Sequence, residues 1–349
     1  MKNALRKTRD HQSMWTRNVI PLTLLVAAAT ARSVLGIGGL HTVEADAYIR
    51  MAGNKNEFKA GEKYPDFRAV CVLGRFRTSD DWEGSGVLVA PRWVLTAAHC
   101  VVKKKKAPRL AQKLKVRFGS SAADKSREYR VEEIRITLPL DAKVLKPLLT
   151  DKVFKNGGSN RTDRNDIALL KLDRDVTGIP VAPLFEGRAK PGTRVCLAGF
   201  GCFATGRQKR ERQWKDDGRK RAGENILDRD GDGLIAFDFD NGQADRNTLK
   251  SNRGLDRSLS KLLGPGKSDA KPLPLEGCSY SGDSGGPVYA RENNQWRVLG
   301  ISSFGTDYPL KGRRATTQYG DVNCSTRVPN HVDWIRRTIA GETGASKDN

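Results

Sequence analysis

From residue 66 to residue 172 the apolar residues fall into short stretches, at 70–73, 86–90, 93–96, 114–118, 129–136 and 167–172, separated by polar turns. Within them Lys113-Leu114-Lys115-Val116-Arg117-Phe118 alternates charged and apolar side chains at a period of two, which marks a strand with one solvated face. This half of the chain reads as all-β. A second set of strands is expected at 194–198, 287–290 and 296–302. The chain then closes on a helix over 331–340, where Val332, Ile335 and Ile339 share one face. Two β domains and a terminal helix are the coarse picture, and 349 residues are enough for two packed domains with sizeable cores.

A polar segment at about 203–276, rich in Arg, Asp, Gly and Asn, interrupts the second strand set. Loops of that length are uncommon inside a compact domain, so the segment is expected to be an inserted excursion with local order of its own. Apolar residues make up 38% of the chain against 29% charged, in keeping with long solvated loops around ordinary cores.

The amino terminus reads as an export signal over residues 1–31. Lys2, Arg6, Lys7, Arg9 and Arg17 precede an apolar run at 19–31 that ends in the small-x-small pattern Ala29-Thr30-Ala31. That run includes Pro21 and falls short of the roughly 20 residues that span a bilayer, so a cleaved signal and a secreted or periplasmic protein are expected, not a membrane anchor. Residues 32–63 then form an N-terminal extension or propeptide, and 341–349 a tail. Loss of the signal removes five basic residues and one acidic, lowering the formal net charge from +22 to +18. The basic density peaks at 103–106 and again at 207–221. Neither patch belongs to a recognisable nucleic-acid module, so the expected roles are a solvated surface and adhesion to anionic surfaces, without specific nucleic acid binding.

Six cysteines remain after export, an even number in an oxidising compartment, so disulfides are expected. No zinc-type spacing with histidine is present. No cofactor is required by any motif. A structural calcium ion at the 228–240 loop is the one metal the sequence suggests: Asp228-Arg229-Asp230-Gly231-Asp232-Gly233 carries oxygen ligands at alternate positions, although the twelfth position is Phe239 in place of a bidentate Glu.

Of the four histidines, His11 leaves with the signal, His41 lies near the new terminus and His331 opens the last helix. Only His99 follows an apolar strand directly, and a strand end holds a base rigidly beside a cleft. Ser284 lies in Gly282-Asp283-Ser284-Gly285-Gly286-Pro287, where the glycines leave backbone amides free to approach a substrate carbonyl. Asp166 enters a buried strand in Asn165-Asp166-Ile167-Ala168-Leu169-Leu170. A buried carboxylate needs a specific partner, and an imidazole would be one.

The segments Leu95-Thr96-Ala97-Ala98-His99-Cys100, Asn165-Asp166-Ile167-Ala168-Leu169-Leu170 and Gly282-Asp283-Ser284-Gly285-Gly286-Pro287 resemble, in this order, the three catalytic signatures of the trypsin-like serine peptidases. Gly300-Ile301-Ser302-Ser303-Phe304-Gly305 is similar to that family's substrate-lining strand. The likeness covers about 64–340 and fails mainly across 203–276. It implies two packed six-stranded antiparallel β-barrels with a C-terminal helix, at about 64–185 and 186–340, in a monomer that takes protein or peptide substrates. It also implies a serine endopeptidase with His99, Asp166 and Ser284 as the triad, Gly282 and Ser284 as the oxyanion hole, and Cys278, Ser303, Phe304 and Gly305 as substrate-binding residues.

Cys278 stands six residues before Ser284, where tryptic members carry the Asp that binds Lys or Arg, and a cysteine there resembles some bacterial members in which it is disulfide-bonded. The resemblance therefore implies a neutral specificity side chain and a Cys278–Cys324 bridge. Cys100 departs from the family, whose usual partner position holds Gly84 here, so Cys71 is its expected partner instead, leaving Cys196 and Cys202 to close a small loop or stay free. Two rivals stand beside this reading. An inactive homologue would act as a binding protein. An α/β-hydrolase esterase would use Ser284, Asp321 and His331 in that order, but Ser284 would then precede a helix, where a strand is expected.

Overall fold

A computed structural model of the chain describes residues 37–77, 81–103, 109–139, 141, 143, 163–207, 217–251, 257–280, 282–306 and 318–341. The expected signal and nearly all of the tail lie outside the described residues, as do parts of both basic patches.

Six strands close the first barrel: β1 (Val70–Gly74), β2 (Trp82–Ala90), β3 (Trp93–Thr96), β4 (Lys115–Phe118), β5 (Glu128–Ile136) and β6 (Ala168–Leu172). They run in the order β1-β2-β3-β6-β5-β4, each neighbour antiparallel. Closure leaves no open sheet edge. Val70, Val72, Val87, Val94, Leu169 and Leu170 on these strands are all fully buried, so both faces of the barrel wall are covered here. The alternation that marks β4 does not give it a solvated face at Arg117, which is only 5% exposed. Its guanidinium stacks 3.8 Å from the Phe76 ring centroid and pairs with Glu128 at 2.6 Å, so aromatic and carboxylate partners replace water there.

The second domain is a half-barrel of seven strands, and with the closed barrel it makes the mostly-β architecture that the resemblance implied, though its sheet does not close. Strands β7 (Arg194–Gly199), β8 (Arg221–Ile226), β9 (Arg229–Asp230), β10 (Leu234–Asp238), β11 (Pro287–Glu292), β12 (Gln295–Thr306) and β13 (Val322–Arg327) run in the order β8-β7-β11-β12-β13-β10-β9. Strands β8, β9 and β10 come from the segment expected to be an excursion. It is part of the sheet because its polar residues are paired inside the protein. Arg221, 2% exposed, binds Asp217 at 2.6 Å, Glu224 binds Arg194, and Asn225 Nδ2 donates to the carbonyls of Asp238 and Gly277. Lys220 is likewise buried, donating to the Phe67 carbonyl at 2.8 Å, so this end of the second basic patch is not a solvated surface.

Upstream, Gly38–Gly39 is sandwiched between Ala204–Thr205 and Gly277–Cys278. Helix α1 (Ala45–Ala52) buries Tyr48 and Met51 completely. The terminal helix α2 (Val332–Ile339) buries Val332 and Ile335, as its periodicity predicts. No helix among the described residues is long and apolar enough to cross a membrane.

All six cysteines are buried and none is joined in a disulfide, which corrects the expected bridges. Cys278 packs with Leu40, Cys202, Phe239, Tyr280 and Tyr319, whereas Cys324 packs with Leu234, Ala236 and the leucines of 249–263 in a separate cluster. The two sulfurs are thus in different apolar environments. Cys71 pairs in register with Gly86, while Cys100 Sγ lies 2.8 Å from where a Cβ on Gly84 would stand.

At the suggested calcium loop the carboxylates go to separate protein partners: Asp230 to Arg327 at 2.6 Å, Asp232 to Arg164 at 2.8 Å, and Asp228 to the Asp238 amide at 3.0 Å. Among the described residues no group of three acidic, His or Cys side chains is arranged to hold a metal ion. Next to the loop lies a buried acidic cluster, Asp228, Asp238, Asp240 and Glu276, each 3% exposed or less. Burial pushes all four carboxyls upward, and mutual repulsion adds to the rise at Asp228, Asp240 and Glu276.

Candidate active site

His99 sits in a single helical turn (Ala98–Val101) directly after β3. Its amide donates to Asp166 Oδ1 at 2.9 Å, and Nδ1 meets Asp166 Oδ2 at 2.7 Å. Asp166 is 1% exposed at the entrance to β6, and Ser303 Oγ of β12 donates to the same Oδ2 at 2.5 Å. Three donors therefore hold one carboxylate, one of them from the second domain. Burial alone would raise the Asp166 pKa, but His99 and these hydrogen bonds hold it below the usual carboxylate range. Burial alone would lower the His99 pKa. The Asp166 charge and, less, the Cys100 sulfur outweigh it and hold the imidazole well above its ordinary value.

Ser284 is half-buried in the turn before β11, against the first barrel. Its carbonyl accepts from the Ser85 amide at 2.8 Å and from Cys100 Sγ at 3.5 Å. Ser85 Oγ also donates to the Gly282 carbonyl at 2.9 Å. Glycine is required here by space and by backbone. Gly285 has φ +83°, and a Cβ on it would stand 2.1 Å from Thr96 Oγ1, while one on Gly286 would stand 2.4 Å from the Ala198 carbonyl. The turn is thus wedged between the two domains. The amides of Asp283, Gly285 and Gly286 are all bonded, whereas those of Gly282 and Ser284 have no acceptor among the described residues. The Asp283 carboxyl is buried beneath the turn, facing the amides of Gly201 and Tyr280, and burial pushes it up to about 7.

Among the described residues no hydrogen bond joins Ser284 Oγ to His99; His99 Nε2 lies 3.7 Å from Cys100 Sγ. The alternative partners are not brought together at all. His331 Nε2 donates to the Arg164 carbonyl at 2.8 Å, and Asp321 Oδ2 accepts from the Tyr280 hydroxyl at 2.5 Å. Pro287–Glu292 after the turn is a strand, which excludes the strand-turn-helix elbow of an α/β-hydrolase.

Cys278 is fully buried, its sulfur against Gly38. Phe304 and Gly305 continue β12 past Ser303, and Gly305 is in register with Asn323 of β13. Asn323 and Ser325 are not among the site residues that the sequence suggests. Asn323 Oδ1 accepts from the Ser279 amide, while its Nδ2 and Ser325 Oγ are buried without a partner among the described residues. Nothing in Val322-Asn323-Cys324-Ser325 marks these side chains until the register sets them between the strand after Ser303 and the segment before Ser284.

The family model described as trypsin-like peptidase domain matches residues 84–301. The chain belongs to that family and is a serine endopeptidase. It is 28% identical over 276 residues to the snake venom serine protease KN5 of Trimeresurus stejnegeri, covering 77% of this chain and 82% of that protein. It is 27% identical over 264 residues to the CLIP domain-containing serine protease B10 of Anopheles gambiae, covering 73% of this chain and 60% of that protein.

Proposed function

We propose that the chain is an exported endopeptidase in which Ser284 attacks the scissile carbonyl, His99 takes the serine proton, and Asp166 fixes the imidazole tautomer. The observation that carries this reading is the buried Asp166 carboxylate, bonded at once to His99 Nδ1, the His99 amide and Ser303 Oγ. With Nδ1–H directed at Asp166, Nε2 is the basic nitrogen. A hydrogen bond from serine that is open without substrate tightens as the complex forms. The proton then passes from Ser284 Oγ to Nε2 as the acyl bond forms, and from Nε2 to the leaving amine as the peptide bond breaks. Water repeats the sequence to release the acid. The amides of Gly282 and Ser284, without protein acceptors among the described residues, are suited to the developing oxyanion. Each such donor is worth roughly 100- to 1000-fold in rate.

The substrate backbone runs along Ser303, Phe304 and Gly305 as an added strand. The side chain before the cleaved bond is neutral. In support, Cys278 carries no charge, Asp321 is engaged by Tyr280 and Gln318, and burial holds Glu276 toward its protonated form. Burying a Lys or Arg there would leave its charge uncompensated.

The test is Ser284→Ala in purified, processed protein, with a serine-directed phosphonate on the wild type. Turnover should fall by about 10⁶-fold, and the reagent should label Ser284 alone. Peptidase activity that survives the substitution sinks the reading.

A further inference from the structure

Beside the catalytic residues a cavity of about 450 Å³ is lined by six cationic side chains, Arg75, Arg77, Lys103, Arg109, Lys113 and Lys115. Three carboxylates answer them. Glu83 binds Arg75 at 2.9 Å and Lys103 at 2.6 Å, Asp81 binds Arg77 at 2.9 Å, and Glu128 binds Lys115 at 2.6 Å. Glu128 is in addition shared with Arg117 at 2.6 Å. Arg109 and Lys113 have no ion pair among the described residues, and both are exposed. A concave surface with cations in excess concentrates anions, because its low-dielectric walls focus the field.

Its position relates it to the reaction. Lys103 Nζ donates to the Cys100 carbonyl at 3.0 Å, and Cys100 Sγ reaches both the Ser284 carbonyl and His99 Nε2. Glu83, which gathers Arg75 and Lys103, directly precedes Gly84, and a Cβ on Gly84 would stand 2.6 Å from the Ser284 carbonyl. One lining residue, Lys103, is thus a single residue, Cys100, away from the Ser284 carbonyl and from His99 Nε2. Ser303 lies on the other side of the imidazole, bonded to the carboxylate that holds Nδ1. A peptide laid along 303–305 by its acyl portion leaves across Gly84 and Cys100, toward the cations.

We propose that this cavity binds acidic side chains that follow the scissile bond, so that the preferred substrates are polypeptides with an Asp- or Glu-rich stretch on the leaving-group side. The inference rests on the peptidase reading above and specifies its substrate class. Carboxylates on a strand, about 3.3 Å apart per residue, can answer Arg109 and Lys113 in turn, and each contact is a charge-assisted hydrogen bond. The other claimant, a polyanion such as a nucleic acid, would meet a cavity already subdivided by Glu83, Asp81 and Glu128, where a continuous row of phosphates faces repulsion as well as attraction.

Two internally quenched peptides test this, identical up to the scissile bond and continuing in four acidic or four neutral residues. Wild-type kcat/KM should favour the acidic peptide by about ten-fold or more in dilute buffer, and 1 M salt should collapse that ratio, since charges are screened within about 3 Å there. The Arg109→Glu/Lys113→Glu variant should abolish or invert the ratio. The ratio is read within each protein, so a general loss of activity does not imitate the result. Equal turnover of both peptides by wild type overturns this inference and leaves the peptidase reading intact. Failure of the wild type to cleave any peptide or react with the phosphonate overturns both. Tight retention of a double-stranded oligonucleotide with no acidic preference reassigns the cavity to polyanions and overturns the proposal.

Discussion

Ser303 Oγ donates to Asp166 Oδ2 at 2.5 Å, the same oxygen that receives His99 Nδ1 at 2.7 Å. A hydroxyl on the open sheet thereby sets the orientation of a carboxylate that belongs to the closed barrel, and the imidazole follows. Hydrogen bonds to a charged group contribute about 1.5–3 kcal/mol, so Ser303→Ala should lower kcat on the order of ten-fold or more with little change in KM. Without this donor the Asp166 charge is less dispersed and holds a proton on His99 more strongly. The acid limb of the pH profile should then move upward, and Ser303→Thr should restore it. A limb that stays in place while stability falls would make Ser303 merely structural.

The pH profile of the wild type follows from the same pair. In the proposed mechanism His99 acts as base only when neutral, and Asp166 holds its pKa well above 6.5. The kcat/KM should therefore decline as pH falls through a midpoint above 6.5. Asp166→Asn removes the opposing charge, so the midpoint should drop, with a rate loss of about 10⁴-fold from the wrong tautomer. A wild-type midpoint at or below 6.5 contradicts the geometry.

The residues of the proposed triad stand out in the sequence because the chemistry proposed for them demands local patterns: glycines around Ser284, a strand end before His99, a charge entering a buried strand at Asp166. The strands of the closed barrel were legible from short apolar runs, and the terminal helix from the spacing of Val332 and Ile335. Strands β8 to β10 were not, because their burial depends on partners distant in sequence. Arg194 answers Glu224, and Asn225 bridges the carbonyls of Asp238 and Gly277. Read alone, those polar side chains imply solvent. Cysteine parity failed for a related reason, since it gives no information on which apolar cluster each sulfur enters.

The acidic cluster carries a stability prediction whose sign is opposite to that of ordinary carboxylates. Burial raises the pKa values of Asp228, Asp238, Asp240 and Glu276 in the folded state, so these four groups bind more protons in the folded chain than in the unfolded one above about pH 4. Their contribution to stability should fall as pH rises from there toward the raised values. Asp240→Asn should raise the melting temperature at pH 8, by about 2–4 °C for each kcal/mol relieved, and change it little at pH 4. The check is calorimetry of both proteins across this range. A variant no more stable than the wild type at pH 8 would show that Asp240 is not under electrostatic strain.

Asn323 gives the sharpest handle on specificity. Its Oδ1 takes the Ser279 amide, its Nδ2 is buried and without a partner among the described residues, and its register partner is Gly305, two residues beyond Ser303. In the proposed binding mode the substrate side chain before the scissile bond enters between these segments. Nδ2 then offers a neutral donor, which suits a polar uncharged side chain and leaves a cation unanswered. Asn323→Asp changes one atom of the amide and keeps the oxygen that binds Ser279. The new carboxylate would compensate a buried Lys or Arg head group, so kcat/KM for substrates with Lys or Arg at that position should rise by at least ten-fold relative to those with neutral residues. Cleavage of a peptide mixture by both proteins, with products identified by mass spectrometry, measures the shift. Unchanged cleavage sites in a folded, active variant would place the specificity pocket elsewhere, and predominant Lys and Arg cleavage by the wild type would refute the neutral pocket itself.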